Sequence, residues 1–398
     1  MSVTKRSEQT GKHLLEHYQV GDYFLASPGQ TLKGSGVFTT VDWEVGEFKS
    51  LSLAEQVQTT LRRAREGGHS HPVVIGAIPF DPKAKPHLVV PKEVQMKEKI
   101  DWTDVGEEEQ PPVAYHIHPV PNPETYMTGV QNGLDRIAKG ELDKIVLSRS
   151  LHITSEQPIQ VKPILTNLAK HNSKGYTFAL DLEAEQHDRH RTLIGASPEL
   201  LVSKSGSVVT ANPLAGSRPR SEDPVEDERR AAELLQSSKD LHEHAVVVEA
   251  VKEAIEPLCK ELDVPSEPSL IKTEAMWHLS TEINGVVGEE DTSSLDLAEA
   301  LHPTPAVCGH PTEKAREAIQ TIEPFDRKFF TGMVGWCDEQ GDGEWIVTIR
   351  CAEVTDQAIK LFAGAGVVAG SKPEEELAET GAKFQTMLNA MGIREERS

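Results

Sequence analysis

The sequence contains little cysteine and no long apolar run. Its 398 residues include four cysteines, and none of them shows the CxxC or Cys/His spacing of a metal site. Four cysteines are too few to cross-link a chain of this length, so we expect a reduced, cytoplasmic protein. No uncharged apolar run reaches the roughly 18 residues of a membrane span, and residues 1–8 contain no apolar signal-peptide core. The sequence therefore predicts neither export nor a membrane span.

Positive charge is also scarce. The chain has 41 basic and 63 acidic residues, for a formal net charge of -22. This balance disfavours binding to nucleic acid or to an anionic membrane surface, and an anionic substrate would require a local cationic pocket. The length permits one large domain or two to three ordinary ones, and composition alone does not choose between them.

The order of predicted elements favours antiparallel sheets. Residues 20–90 alternate short apolar runs with turns and include one helical stretch near 53–64. A segment rich in charge and proline, 107–123, predicts a connection. Beyond it the sequence predicts a helix near 124–139, a strand from Lys144, and a hairpin around the turn at 341–343. Because hairpins outnumber βαβ units, we predict an α+β fold.

A single long helix is predicted from about residue 224 to 258. Its main apolar stripe is accompanied by a second one, with which Glu243 is aligned. We therefore expect Glu243 to face protein rather than water.

Residues 361–383 have the pattern of an anion site beside a metal site. Gly364 and Gly366 predict a small-residue turn that a ligand can approach closely. Ser371 and Glu374 match a capping box at the start of a helix, with Pro373 in its first turn.

One face of that helix carries Glu376, Glu379 and Lys383. The same spacing is also typical of an ordinary capped surface helix, since Glu379 and Lys383 form a stabilising i, i+4 pair.

Four other polar residues stand where packing would favour apolar ones. Lys144 begins an apolar strand, Glu199 follows a proline before an apolar run, and Arg350 is predicted in mid-strand, while Glu243 is on an inward helix face. Each has an ordinary explanation, such as an edge residue, a turn acceptor or a structural ion pair. Together they indicate a functional site.

The combined motifs resemble the chorismate-utilising enzymes, most closely the isochorismate synthases of 2,3-dihydroxybenzoate siderophore synthesis. The resemblance covers roughly residues 120–392, in order and without a missing motif. The matching stretches are LDKIVLSR (142–149), GASPELL (195–201), PLAGSR (213–218), KDLHEH (239–244), MWHLS (276–280), LHPTPA (301–306), VTIR (347–350), FAGAG (362–366) and ETGAK (379–383).

The resemblance implies one large α+β domain over residues 1–398, with antiparallel sheets packed as a sandwich-like core between flanking helices. Within it, residues 1–118 would form a strand-rich N-terminal part and residues 119–392 the motif-bearing catalytic part.

The implied reaction moves a hydroxyl group from C4 of chorismate to C2, giving isochorismate. By resemblance, Lys144 would deprotonate the attacking water and Glu199 would protonate the leaving hydroxyl. Burial and nearby positive charge would be needed to free the lysine of its proton, and a largely apolar, carboxylate-rich setting would keep Glu199 protonated.

The resemblance also implies Mg²⁺ as the cofactor. Glu243 and Glu379 would hold the ion, with Glu376 and Asp240 acting through metal-bound water. Mn²⁺ accepts the same oxygen ligands and is not distinguished from Mg²⁺ by the sequence.

The remaining implied contacts are with chorismate, a dicarboxylate. Its ring carboxylate would meet the metal, and its enolpyruvyl carboxylate would meet two cationic side chains and a nest of backbone amides. The implied substrate-binding residues are Arg350, Lys383, Gly364, Ala365 and Gly366 at the enolpyruvyl end, Gly216 and Ser217 on the ring-carboxylate side, His278 against the ring, and Ala306, Val307 and Phe330 as pocket wall.

Several relatives stay open as alternatives. Anthranilate and salicylate synthases usually carry threonine at the position of Ala306, which favours a reaction that stops at isochorismate. A salicylate synthase and an isochorismate synthase of menaquinone synthesis remain alternatives, as does a catalytically inactive regulatory protein that binds dicarboxylates. We expect a monomer that needs no amidotransferase subunit.

Overall fold

The computed structural model describes residues 11–43, 51–100, 114–184, 188 and 190–393. The N-terminal residues 1–8 and the first seven residues of the predicted connection at 107–123, namely 107–113, lie outside the described residues, and the remainder of that segment contains the strand Tyr115–Val120. No helix among the described residues is both long and apolar enough to cross a membrane.

The described chain contains both helices and strands, with several strands often following one another directly. The helices are α1 (Gly11–Glu16), α2 (Leu53–Glu66), α3 (Pro123–Ala138), α4 (Val161–His171), α5 (Pro224–Gln236), α6 (Ser238–Ile255), α7 (Ser294–Leu301), α8 (Thr312–Ile322) and α9 (Pro373–Ala390). The strands are β1 (Tyr23–Ala26), β2 (Gln30–Thr40), β3 (Val73–Ile78), β4 (His87–Glu98), β5 (Tyr115–Val120), β6 (Lys144–Ser155), β7 (Tyr176–Leu182), β8 (Arg191–Ser197), β9 (Leu200–Ser205), β10 (Val208–Asn212), β11 (Leu214–Pro219), β12 (Cys259–Asp263), β13 (Ser269–Lys272), β14 (Met276–Ser280), β15 (Ile283–Val287), β16 (Gly309–His310), β17 (Met333–Asp338), β18 (Gly343–Val347), β19 (Cys351–Val354) and β20 (Ala358–Val368).

Antiparallel pairing joins these strands into one extended network and one small sheet of β11, β14 and β13. Strands from both parts of the chain share the network, since β1 pairs with β7 and β3 with β17. The division expected at 118/119 falls inside β5. The predicted α+β class in a single domain is therefore confirmed.

The pairing of β6 with β20 is the longest within residues 119–392. It runs from Lys144 opposite Val368 to Thr154 opposite Ala358. The helices α4 and α9 cover part of this surface, where Leu165 and Phe384 belong to one buried apolar cluster with Leu361. Because both strands are buried against helices, their backbone polar groups must find partners inside the protein.

The predicted long helix at 224–258 is wrong. The chain forms two helices that meet at Ser237, whose backbone is extended and whose hydroxyl accepts a hydrogen bond from Asp240 N at 3.3 Å. Serine is a preferred N-cap residue, so it starts a new helix here. The break lets α6 take its own direction and places Asp240 and Glu243 in its first two turns.

The predicted capping box of α9 is also wrong. The helix begins at Pro373 as expected, but its N-cap is Lys372, without a side-chain cap. The hydroxyl of Ser371 instead accepts from Val368 N at 3.2 Å, which closes the turn after β20.

Two further local predictions differ from the structure. Gly364 and Gly366 lie within β20 rather than in a turn. Arg350 lies between β18 and β19, with φ at 51°, rather than in mid-strand. A positive φ is unusual for a residue with a side chain. It turns the backbone at the point where the Arg350 side chain enters the interior.

Candidate active site

A cavity of about 690 Å³, including its opening to solvent, lies between β6, β20, α6 and the small sheet. Most of the predicted site residues line it. These are Glu199, Gly216, Ser217, Glu243, His278, Ala306, Val307, Phe330, Arg350, Gly364, Gly366, Glu379 and Lys383.

Four predicted residues are not part of this lining. Lys144 lies directly behind it, in contact with Glu243. Ala365 is fully buried on the face of β20 opposite to that of its glycine neighbours, because side chains alternate along a strand. Glu376 and Asp240 are buried near the cavity, each paired with a basic side chain.

Lys144 is the first residue of β6 and is 1% exposed. Its Nζ lies 2.8 Å from Glu243 Oε1. The lysine predicted as a base therefore contacts a carboxylate predicted as a metal ligand.

Glu199 lies between β8 and β9 and is 3% exposed. Burial raises the pKa of its carboxyl group to about 7, against the opposing effects of a hydrogen bond from Leu214 N and of Lys144, Lys383 and Arg350. A raised pKa was expected; burial produces it, and the side-chain charges that act on Glu199 most are cations. The group titrates where an acid catalyst at neutral pH must titrate.

Three buried or half-buried carboxylates gather on the opposite side of the site, each in contact with a lysine. Glu243 contacts Lys144, and Glu376 contacts Lys239 at 3.3 Å. Glu379 contacts Lys383 at 2.6 Å.

The charges of two of these carboxylates act on the third. The pKa of Glu376 is raised first by burial and then by Glu379, with Glu243 adding to the effect. In the described part of the chain, no group of three or more acidic, histidine or cysteine side chains is arranged to hold a metal. The three side chains do offer carboxylate oxygens, the donor type that a hard cation prefers.

Asp240 is engaged elsewhere. Arg218 donates to both of its oxygens, at 3.1 and 2.6 Å. A bidentate pair of this kind is geometrically specific and holds the first turn of α6 against β11. Asp240 is therefore already bound by Arg218, although it lies one turn before Glu243 on α6.

The cationic end of the cavity contains Arg350 and Lys383. Burial lowers the pKa of Arg350 to about 10, so the guanidinium keeps its charge at neutral pH. Lys383 Nζ donates to Gly364 O at 2.8 Å and contacts Glu379. The predicted nest of amides at 364–366 is not formed, because this segment is extended strand. The cations, rather than a nest, supply the positive charge.

A short hydrogen-bonded chain connects Arg350, His278 and Ser217. Arg350 Nη2 lies 3.4 Å from His278 Nε2, and His278 Nδ1 lies 2.8 Å from Ser217 Oγ. Burial, followed by Arg350 and Lys383, holds the pKa of His278 well below its usual value, so the ring is neutral. Since arginine only donates, Nε2 accepts and the ring proton is on Nδ1. The Ser217 hydroxyl proton is then available to a ligand.

Sequence reasoning missed some of the wall. Phe362 lines the cavity and stacks on Phe330 with ring centroids 5.2 Å apart, and Thr331 lies beside them. Phe362 stands within the FAGAG stretch and was available as a candidate. Nothing in the local sequence marks Thr331, whose position depends on contacts with distant segments.

The cavity, with an acid of raised pKa, two cations and a carboxylate cluster, can be compared with known proteins. The family model described as chorismate binding enzyme matches residues 64–392. The chain belongs to this family. The match includes every residue placed in the candidate site.

Individual chorismate binding enzymes resemble the chain over nearly its whole length. Isochorismate synthase DhbC of Bacillus subtilis (strain 168) is 58% identical over 388 residues, covering 97% of this chain and 98% of that protein. The vibriobactin-specific isochorismate synthase of Vibrio cholerae is 45% identical over 371 residues, covering 93% and 91%. The crystal structure of DhbC from Bacillus anthracis matches with a TM-score of 0.90 and 55% identity, covering 96% of this chain and 100% of that one.

Proposed function

We propose that the protein is an isochorismate synthase, an isomerase that converts chorismate to isochorismate. One observation carries this proposal. A buried carboxyl group with a pKa near 7, Glu199, and a buried lysine, Lys144, adjoin one cavity that also contains two cations for a carboxylate. The two relatives reported above that carry this name support it at 58% and 45% identity.

The acid and base fit the proposed bond changes. Water adds to C2 of the ring, and Lys144 takes a proton from it. The ring double bonds shift, and the C4 hydroxyl leaves as water after accepting a proton from Glu199. A proton is gained by one residue and lost by the other, so the enzyme must exchange protons with solvent before the next turnover.

The charged groups fit the two carboxylates of the substrate. Arg350 and Lys383 face the enolpyruvyl carboxylate in this proposal, and the Ser217 hydroxyl donates to the ring-carboxylate end. Glu243 and Glu379, with Glu376 behind them, would hold Mg²⁺. When bound, the ion would supply positive charge for the ring carboxylate and for electron density that develops across the conjugated ring.

Product analysis tests the proposal directly. Purified protein is incubated with chorismate and Mg²⁺, and the products are separated by chromatography. Isochorismate without salicylate is the expected result. Salicylate with pyruvate would instead indicate a lyase, and unchanged chorismate would contradict the proposed activity.

We further propose that the isochorismate feeds 2,3-dihydroxybenzoate and catecholate siderophores. Similarity to a vibriobactin-specific enzyme and to DhbC proteins supports this assignment over menaquinone synthesis. Deletion of the gene should abolish catecholate secretion under iron limitation, and added 2,3-dihydroxybenzoate should restore it. A menaquinone deficiency with normal catecholate secretion would contradict the assignment.

A further inference from the structure

One edge of β6 has a gap in its strand pairing beside the cavity. The intact edge of β6 pairs with β20 from Lys144 to Thr154. On the other edge, β16 pairs with Lys144 and Ile145, and β5 pairs from Ser150 onward. On this edge no described strand pairs with residues 146–148, although Val146 N donates to Cys308 O at 2.9 Å just before β16. Buried backbone groups there must be satisfied in another way.

A buried ion pair, Glu323 and Arg327, fills this gap. Ser148 N donates to Glu323 Oε1 at 2.7 Å, and Arg327 Nη2 donates to Val146 O at 2.8 Å. The two side chains also bind each other in a bidentate manner, at 2.8 and 2.6 Å, and each is 2% exposed. The pair thus takes the place of a neighbouring strand: the carboxylate of Glu323 accepts from one backbone amide of β6, and the guanidinium of Arg327 donates to one backbone carbonyl.

Arg327 binds two further segments with its remaining donors. Its Nη1 donates to Val307 O at 2.8 Å and to Thr331 Oγ1 at 3.2 Å. Val146, Val307 and Thr331 all line the cavity, whereas Arg327 itself does not. One guanidinium therefore joins three separate walls of the cavity from behind.

The backbone at one of these walls is held in an unfavourable conformation. Thr331 has φ at 58°, which a β-branched residue rarely adopts. Its amide donates to Thr348 O at 2.8 Å, and its carbonyl accepts from His302 Nε2 at 2.9 Å. Such conformations persist only where surrounding contacts impose them, and Arg327 supplies one of those contacts.

Stability alone does not account for a pair of this kind. Taking two charges out of water is costly, and apolar residues of similar volume often serve the fold as well or better. The fork of an arginine, in contrast, binds several fixed acceptors at once, which no apolar side chain can do.

We propose that Glu323 and Arg327 are positioning residues that fix strand β6 and the two facing walls, and so set the placement of Lys144 against Glu199 and the substrate. Val146 is only two residues from Lys144, so a shift of the strand at Val146 moves the lysine as well. This inference rests on the proposed function for its kinetic consequences. Its structural part can be measured without turnover.

A matched ion pair provides the control. Arg191 and Glu353 join β8 to β19 with 2.8 and 3.2 Å hydrogen bonds, are 9% and 6% exposed, and do not line the cavity. We would compare Arg327→Lys with Arg191→Lys, and Glu323→Gln with Glu353→Gln. Each variant is characterised by its thermal unfolding temperature, the pH profile of kcat, KM for chorismate, and amide hydrogen exchange at residues 146–149.

At similar losses of thermal stability, Arg327→Lys should lower kcat by about tenfold or more relative to Arg191→Lys, because a small misplacement of reacting groups is costly. Its pH profile should also shift, and Glu323→Gln should act in the same direction. Equal effects on kcat in the two pairs would overturn the proposal. If the wild-type protein produces no isochorismate, the proposed function has failed instead. In that case the amide hydrogen exchange tests the structural part of the proposal. Faster exchange at residues 146–149 in Arg327→Lys than in Arg191→Lys supports a positioning role, and equal exchange rates overturn it.

Discussion

Glu243 Oε1 lies where a side chain at position 366 would begin. A Cβ added to Gly366 would be less than 3.0 Å from that oxygen and 3.2 Å from Lys144 Cε. Gly366 pairs with Val146 across the two strands, so neither strand can move away easily. The absence of a side chain at 366 is what allows Lys144 and Glu243 to meet beside the cavity.

Gly366→Ala should therefore displace Glu243 and Lys144 and lower kcat by about 100-fold, as expected for misplaced catalytic groups. The matched control is Gly381→Ala in α9, where the new Cβ would lie 3.7 Å from Arg149 Nη2 and alanine favours the helix by about 1 kcal/mol. Steady-state kinetics and thermal unfolding of both variants test this. Normal turnover by Gly366→Ala would refute the steric argument.

Removal of Lys144 should affect stability and catalysis separately. Lys144→Ala leaves Glu243 buried without its ion-pair partner, at a cost of about 3–5 kcal/mol in the free energy of unfolding. It should also lower kcat by about 100-fold or more through loss of the base. The double variant Lys144→Ala with Glu243→Gln should regain most of the stability but none of the turnover. Near-normal kcat in Lys144→Ala would remove that residue from its proposed role.

Glu199 should give both activity and stability a dependence on pH. As a general acid it must be protonated, so turnover should decline as pH rises above about 7. Because the folded-state pKa is higher than the unfolded one, the folded protein binds more protons between about pH 4.5 and 7 and loses stability as pH rises through that range.

The variant Glu199→Gln isolates these effects. It should lose most turnover, and its stability relative to the wild-type protein should increase between pH 5 and pH 8 by up to about 3 kcal/mol. Denaturant unfolding of both proteins at the two pH values measures the difference. If the difference in unfolding free energy between the two proteins is the same at pH 5 and pH 8, burial does not hold Glu199 in its protonated form.

Metal removal should abolish activity, and added Mg²⁺ should restore it. Glu243→Gln and Glu379→Gln should each weaken Mg²⁺ binding by about tenfold or more, because each removes an anionic ligand. Asp240→Asn serves as the control, since Asp240 is bound by Arg218 and should alter Mg²⁺ affinity little. Isothermal titration with Mg²⁺ alone measures all three. If only Asp240→Asn weakens Mg²⁺ binding strongly, the result would contradict the roles of Glu243 and Glu379 and support Asp240 as a residue that holds the ion through bound water.

Residue types and their order were sufficient to predict the α+β class, the family and the buried position of Glu243. These properties are encoded locally, in hydrophobic periodicity, turn residues and motifs that keep their spacing. The raised pKa of Glu199 was expected from the family resemblance, because a general acid must be protonated, and burial of the carboxyl group is what raises it.

Local patterns failed where long-range contacts compete with them. Ser237 divides an apparently continuous helix, and Ser371 closes a strand turn instead of capping α9. Both serines match the sequence signal for a cap, and the packing of neighbouring elements decides which backbone amide each one meets.

The arrangement of charges depends on strand register and helix docking, which no local pattern contains. Register places Gly366 opposite Val146, and the docking of α6 brings Glu243 to Lys144 at that point. Arg327 is 181 residues from Val146 in sequence, so only the folded chain brings that backbone oxygen, Val307 O and Thr331 Oγ1 within reach of one guanidinium. Hydrogen bonds act over about 3 Å, and the chain positions that satisfy this distance are set by the complete fold.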